Sequence, residues 1–331
     1  MRLTKRSAAG AVGEEDAIPA HHEADAPKPT SGSGPAPARA ASAAVEVPTA
    51  VAVAKPRVSR RLSRPKDDCD REGLLKGKKA LVFGVANDHS IAWGIAKALY
   101  DQGASVGFSS MASLIKRRVR PLASSIGSTF VEACDVRDDD EIRKVFERWH
   151  AREGDLDILV HAVAYAEKED LAGNFSSTSR DGFHTAFDIS VYSLIAMARE
   201  ARKYMKPGSS IMTMTYYGAE KVVPHYNIMG VAKAALEAST RYLAADLGPS
   251  GIRVNAISAG PVRTLSAHGI AGFNLMYGAF AEVAPLRSHI TIEDVAGTAV
   301  YLASPLSGQT TGEVIYVDGG FNILGLPVAE E

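Results

Sequence analysis

Short apolar runs alternate with longer stretches of helical periodicity along most of this chain. The runs are KKALVFG (78–84), ASVGFSS (104–110), STFVEACDV (128–136), LDILVHAVA (156–164), SIMTMT (210–215), GIRVNAIS (251–258) and EVIYVDG (313–319). Each is short and nearly continuously apolar, which is how a strand buried on both faces reads. Between them, residues 90–99, 113–125, 138–151, 183–205 and 292–303 carry apolar positions at helical spacing, and Pro224 marks a further helix start, since proline fits a first turn. Ser90 is suited to cap the first helix. Strands alternating with helices in this way predict an α/β fold: a Rossmann-like, doubly wound, mostly seven-stranded parallel sheet.

Residues 1–70 follow no such pattern. They are rich in Ala, Pro, Ser and charge and have no aromatic residue. Such a segment buries too little surface to offset its ordering entropy, so it is expected to be a disordered extension on a single domain over 71–331. It has no apolar core for a signal peptide, and no stretch reads as a membrane span. Glu14, Glu15, Asp16, Glu23 and Asp25 count against an organelle transit peptide. The basic cluster 57–66 reads as a solvated linker. The whole chain has 331 residues and a formal net charge of -1, which argues against nucleic-acid binding as its main role. Two cysteines, Cys69 and Cys134, suggest neither a disulfide framework nor a metal site, so a reducing, cytoplasmic location is expected.

Candidate chemistry gathers where strands end. The loop from Gly84 through Ser90 and Ile91 to Gly94 joins the first strand to the first helix, the place for a dinucleotide pyrophosphate on free backbone N–H groups. It lacks the usual G-x-G-x-x-G spacing. Asp135, beside Val136 at the end of the third strand, can meet an adenine amino group or cap the next helix. The end of the fourth strand, 160–166, lies beside the expected nicotinamide ribose. The turn Val262, Arg263, Thr264 after the sixth strand can hold a carboxamide. After the fifth strand come Tyr216, Tyr217, Tyr226 and Lys233. On a helix, the seven-residue spacing of Tyr226 and Lys233 places a phenol and an ammonium about 10 Å apart along one wall. The phenol can donate to a developing oxyanion; the ammonium can hold sugar hydroxyls and lower the phenol's pKa.

The segments GVANDHSIAWGIAKAL, YYGAEKVVPHYNIMGVAKAALEAS, NAISAGPVRTLSAHGI and TGEVIYVDGGF resemble those of the bacterial enoyl-acyl-carrier-protein reductases, in the short-chain dehydrogenase superfamily. The resemblance covers about residues 74–325. It is specific, because ordinary short-chain dehydrogenases place Tyr four before Lys, where this chain has Met229. It implies NADH-dependent reduction of trans-2-enoyl thioesters in fatty-acid synthesis. It implies Tyr226 and Tyr216 as active-site tyrosines with Lys233 on the ribose. Gly84, Ser90, Ile91, Asp135, Val136, Val163, Lys233, Val262, Arg263, Thr264, Leu265 and Ser266 match cofactor positions, and Ala166 a substrate contact. A mobile flap over the acyl chain is expected from LSAHGIAGFNLMYGAF, and a homotetramer from the small residues Gly230, Ala234, Ala235 and Ala238.

The chain also departs from that pattern. Ala162-Val-Ala164 stands where relatives carry Ser-x-Gly. Ala271, Asn274 and Leu275 stand where relatives show basic residues facing an acidic carrier protein, so either an acyl carrier protein or a coenzyme A thioester fits as substrate. The second strand ends in Ser109-Ser110 with no acid to repel a 2′-phosphate, and Lys116, Arg117 and Arg118 lie nearby, which keeps NADPH beside NADH. Two other readings remain: a paralogue reducing another enone or thioester, and a nucleotide-binding protein without activity. Retention of Tyr226 and Lys233 argues against the second.

Overall fold

The computed structural model describes residues 73–264, 267 and 272–325. The 1–70 extension, Leu265, Ser266 and Ala271 lie outside the described residues. Seven strands form one sheet: β1 (Lys79–Phe83), β2 (Ser105–Ser110), β3 (Val131–Ala133), β4 (Leu156–His161), β5 (Met205–Thr215), β6 (Arg253–Ala259) and β7 (Val314–Val317). All pairings are parallel, in the order β3-β2-β1-β4-β5-β6-β7. The expected doubly wound sheet is therefore present.

Side-chain alternation explains why both faces are covered. In β1, Ala80 and Val82 enter one core, with Ile95 and Leu99 of helix Ile91–Asp101 and Val295 and Leu302 of helix Ile292–Ala303. Leu81 and Phe83 enter the opposite core, with Phe146 and Trp149 of helix Asp139–Glu153 and Leu236 of helix Asn227–Leu247. A strand apolar from Ala80 to Phe83 thus feeds two cores through a period of two. The strand order reverses between β1 and β4, which opens a crevice at the carboxyl ends of the strands.

Helix starts follow side-chain chemistry. Asp138 caps Asp139–Glu153 by accepting from the backbone N–H groups of Asp140 and Glu141, and Thr291 and Asp294 form a reciprocal capping box. Ser90 occupies the cap position of its helix, but its hydroxyl donates to the Asn87 carbonyl at 2.6 Å instead of capping.

Three expected helices differ. The one over 113–125 is interrupted by a π-helical turn, Ile115–Val119, followed by Arg120–Ser125, whose first turn holds a proline with no N–H to give. The one over 183–205 divides into Arg180–Phe187, a π-helical turn Asp188–Tyr192, and Ser193–Ala201, with Met205 already in β5. The buried serines at this break explain it. Ser190 bonds both the backbone N–H and the carbonyl of Tyr165, and Ser193 donates to the Ile189 carbonyl. The helix expected from Pro224 begins at Asn227, because His225 and Asn227 hold positive φ of 63° and 38°.

Candidate functional site

The described site residues lie in the segments that follow the strands' carboxyl ends, with Tyr226 and Lys233 carried by the helix after β5. Gly84 follows β1 with φ 97°. A Cβ there would run into the carbonyl oxygen of Ala162, which follows β4. The glycine thus lets the two ends that flank the crevice close on each other. Ser90 and Ile91 then present the amino terminus of an eleven-residue helix. Asp135, past the end of β3, is paired with Arg137 at 2.6 Å, and that guanidinium holds its carboxyl below the ordinary range. The capping role open to Asp135 falls to Asp138. Val136 and Val262 are buried, and Val163 and Ala166 half-buried. Arg263 lies 4.4 Å over the ring of Tyr277, which stacks on His289 at 4.0 Å. Thr264 accepts a bond from the Ala267 N–H.

At the other end of the crevice, Tyr216 and Tyr226 meet edge to face, with ring centroids 4.9 Å apart. Tyr226 sits at the cap position of Asn227–Leu247 rather than within that helix. It is flanked by the two left-handed residues, His225 and Asn227. Such backbone persists only where surrounding contacts enforce it. Here the Asn227 amide donates to the carbonyls of Leu171 and Gly173, and asparagine tolerates the left-handed region better than most residues. At Gly218 an added Cβ would lie 2.5 Å from Cδ1 of Tyr226 and 3.3 Å from Cδ1 of Tyr216, so glycine lets the two rings close.

Burial governs the electrostatics. Tyr226 is 8% exposed, and desolvation raises its phenol pKa, with Tyr216 and Glu237 adding to the effect. This reverses the sequence expectation that Lys233 lowers it. The outcome is a neutral donor across the physiological range. Tyr216 is pushed up to about 12 by burial, and its hydroxyl contacts Met276 Sδ at 3.4 Å, on helix Phe273–Val283 of the expected flap segment. Lys233 is 5% exposed and brought down to about 8 by burial, while Glu237 pulls the other way. Its Nζ donates to the Met214 carbonyl at 2.8 Å.

Sequence reasoning missed the polar layer beneath these residues. His161, the last residue of β4, is 1% exposed and bonded through Nδ1 to Thr213 and through Nε2 to Ser193, both at 2.8 Å. Burial first, and then the Lys233 charge, bring it down to about 3, so the imidazole is neutral. Glu237 accepts from Thr215 Oγ1 at 2.6 Å. The available signals were one histidine closing an apolar strand and one glutamate four residues after the lysine.

A family model described as Enoyl-(Acyl carrier protein) reductase matches residues 84–322. An enoyl-[acyl-carrier-protein] reductase [NADH] of Rhizobium meliloti is 50% identical over 258 residues, covering 78% of this chain and 95% of the relative. One from Aquifex aeolicus is 50% identical over 260 residues, covering 78% and 96%. A crystal structure of the Bacillus cereus enoyl-acyl carrier protein reductase with NADP+ and indole naphthyridinone superposes with a TM-score of 0.75 at 51% identity, covering 77% of this chain and all of that one.

Lys233 also makes a stability prediction. Its proton is lost near pH 8 in the folded protein but near 10.5 in the unfolded chain. The unfolded state therefore binds more protons between these values, and the destabilisation is full below about pH 8 and fades as pH rises toward 10.5. Lys233→Met is expected to stabilise the apo protein by about 1–3 kcal/mol at pH 7. That advantage should shrink at alkaline pH, read as the difference in unfolding midpoints across a pH series.

Proposed function

Because the chain belongs to the enoyl-(acyl carrier protein) reductase family, we infer that it reduces trans-2-enoyl thioesters to saturated acyl thioesters with NADH, the last reductive step of type II fatty-acid elongation. The observation that carries this reading is the Tyr216–Tyr226 pair beside a buried lysine, at the strand ends that also hold the Gly84 turn. The residues fit a dinucleotide. The Gly84 turn has no room for a side chain, a helix amino terminus follows it, and Lys233 offers an ammonium inside a dry wall.

When bound, NADH supplies the hydride that reduces the β-carbon. Negative charge then develops on the thioester oxygen. Tyr226, kept neutral by burial, donates its hydroxyl proton in a hydrogen bond to that oxygen, and this bond strengthens as the charge grows. Tyr226 is held in place on both sides by strained backbone and from below by Tyr216, so little reorganisation accompanies the step. Lys233 holds the ribose hydroxyls and adds positive potential. Tyr216 and Met276, in contact with each other, are assigned to the acyl side, as is Ala166. Gly84, Ser90, Ile91, Asp135, Val136, Val163, Val262, Arg263 and Thr264 are assigned to the dinucleotide, as are Leu265 and Ser266.

We further assign the natural substrate to an acyl carrier protein thioester with weakened electrostatic docking, since Asn274 and Leu275 are exposed and uncharged, Leu275 at 81%. Among the described residues no helix is long and apolar enough to cross a membrane; a cytoplasmic location is proposed from the sparse cysteines, as the sequence suggests. A homotetramer is proposed from Ile195, Val231 and Tyr242, apolar residues left exposed on the helices of one sheet face. Gly230 does not contribute, because it packs against the Gly218 carbonyl within the chain.

The deciding experiment is stopped-flow NADH oxidation with one enoyl chain on acyl carrier protein and on coenzyme A. Turnover with neither would overturn the reading. Tyr226→Phe is expected to cut kcat by an amount on the order of 3 kcal/mol in barrier with NADH affinity kept. Lys233→Ala should instead weaken NADH binding, measured by fluorescence titration. Deleting residues 1–70 should leave turnover and a tetrameric mass by light scattering unchanged.

A further inference from the structure

Three successive residues at the end of β5 each engage one residue of the segment that begins at Tyr226. The Met214 carbonyl accepts from Lys233 Nζ at 2.8 Å, Thr215 Oγ1 donates to Glu237 Oε1 at 2.6 Å, and the ring of Tyr216 stands against that of Tyr226. Lys233 and Glu237 are four apart on helix Asn227–Leu247, hence neighbours one turn along the same face. Both are buried, at 5% and 6% exposed. A buried ammonium needs a compensating negative charge, or it loses its proton.

The other groups around Lys233 supply none. His161 at the end of β4 is neutral, and Tyr216 and Tyr226 keep their protons. Among the described residues no carboxylate forms an ion-pair contact with Lys233, and Glu237 is the single charge that acts on it. The dependence is lopsided. Burial raises the Glu237 carboxyl, the Thr215 bond opposes this, Glu220 on the turn after β5 and Arg241 further along the helix act with opposite signs, and Lys233 weighs least. Lys233 thus has one counter-charge, whereas Glu237 has several partners. On the reading that Lys233 holds the cofactor ribose, we propose that Glu237 is a positioning residue of the reductase: its carboxylate, fixed by Thr215, is the counter-charge that lets Lys233 present an ammonium from within a desolvated wall.

The test is the NADH dissociation constant, by fluorescence titration at about pH 6.5 and about pH 8.5, for the full-length protein and its variants. Glu237→Gln keeps the shape and can still accept from Thr215. It should match wild type at the lower pH and bind roughly three- to tenfold more weakly at the higher one. In a Lys233→Arg background the same change should have no effect at either pH, because a guanidinium stays charged throughout. Equal profiles for Glu237→Gln and wild type would overturn the proposal. So would a loss of equal size at both pH values, or one that persists in the arginine background, since either marks lost packing. If Glu237→Gln does not fold, Thr215→Val, which frees the carboxylate without removing it, should move the alkaline limb in the same direction, and an unmoved limb overturns the proposal. Lys233→Ala separates the two levels: unchanged NADH affinity there defeats the assignment of Lys233 itself, whereas weakened affinity with a normal Glu237→Gln profile defeats only the role of Glu237.

Discussion

Lys233 brings an ammonium into a wall that excludes water, and much of the surrounding structure compensates for its desolvation. Its proton rests on a backbone carbonyl of β5, a fixed dipole that cannot itself titrate. The nearest imidazole, His161, is held neutral between two hydroxyls, so a second positive charge does not compete. The same burial that penalises the lysine keeps the phenol of Tyr226 protonated. One dry environment thus loosens the proton of the lysine and tightens that of the phenol, from side chains whose ordinary pKa values nearly coincide. Function here is obtained at the expense of stability.

The parallel sheet turns this local chemistry into a cleft. The carboxyl ends of β1, β4, β5 and β6 deliver the Gly84 turn, Val163, Tyr216 and Val262 to one rim because all four strands run the same way. Asn227 adds a cross-tie, since its amide reaches the carbonyls of Leu171 and Gly173 in the connection after β4. The position of Tyr226 therefore depends on a loop more than fifty residues earlier, as well as on its own helix.

The layer architecture and the rim were legible in the sequence, because strand burial and strand-end position follow from apolar runs and parallel topology. The tyrosine–lysine pair was legible too, though its geometry was not. A simple helical spacing assumed regular backbone from Pro224, whereas the positive φ angles of His225 and Asn227 delay the helix and place Tyr226 at its mouth. Local periodicity cannot report such strain, since it is enforced by residues distant in sequence. The break near Ser190 was hidden for the same reason, since Ser190 bonds the distant backbone of Tyr165, whereas the one near Val119 left a local mark in Pro121. His161 and Glu237 escaped notice because a polar residue in an apolar run does not reveal its partners until the sheet is assembled.

The contact that fixes Gly84 is made to the backbone carbonyl of Ala162, not to its side chain. Any residue at 162 presents the same oxygen, so that position can drift without disturbing the turn after β1. The constraint falls on 84 alone. The two strand ends that meet there are thus held by different rules: the turn after β1 by the space left for an atom, the end of β4 by the path of its main chain.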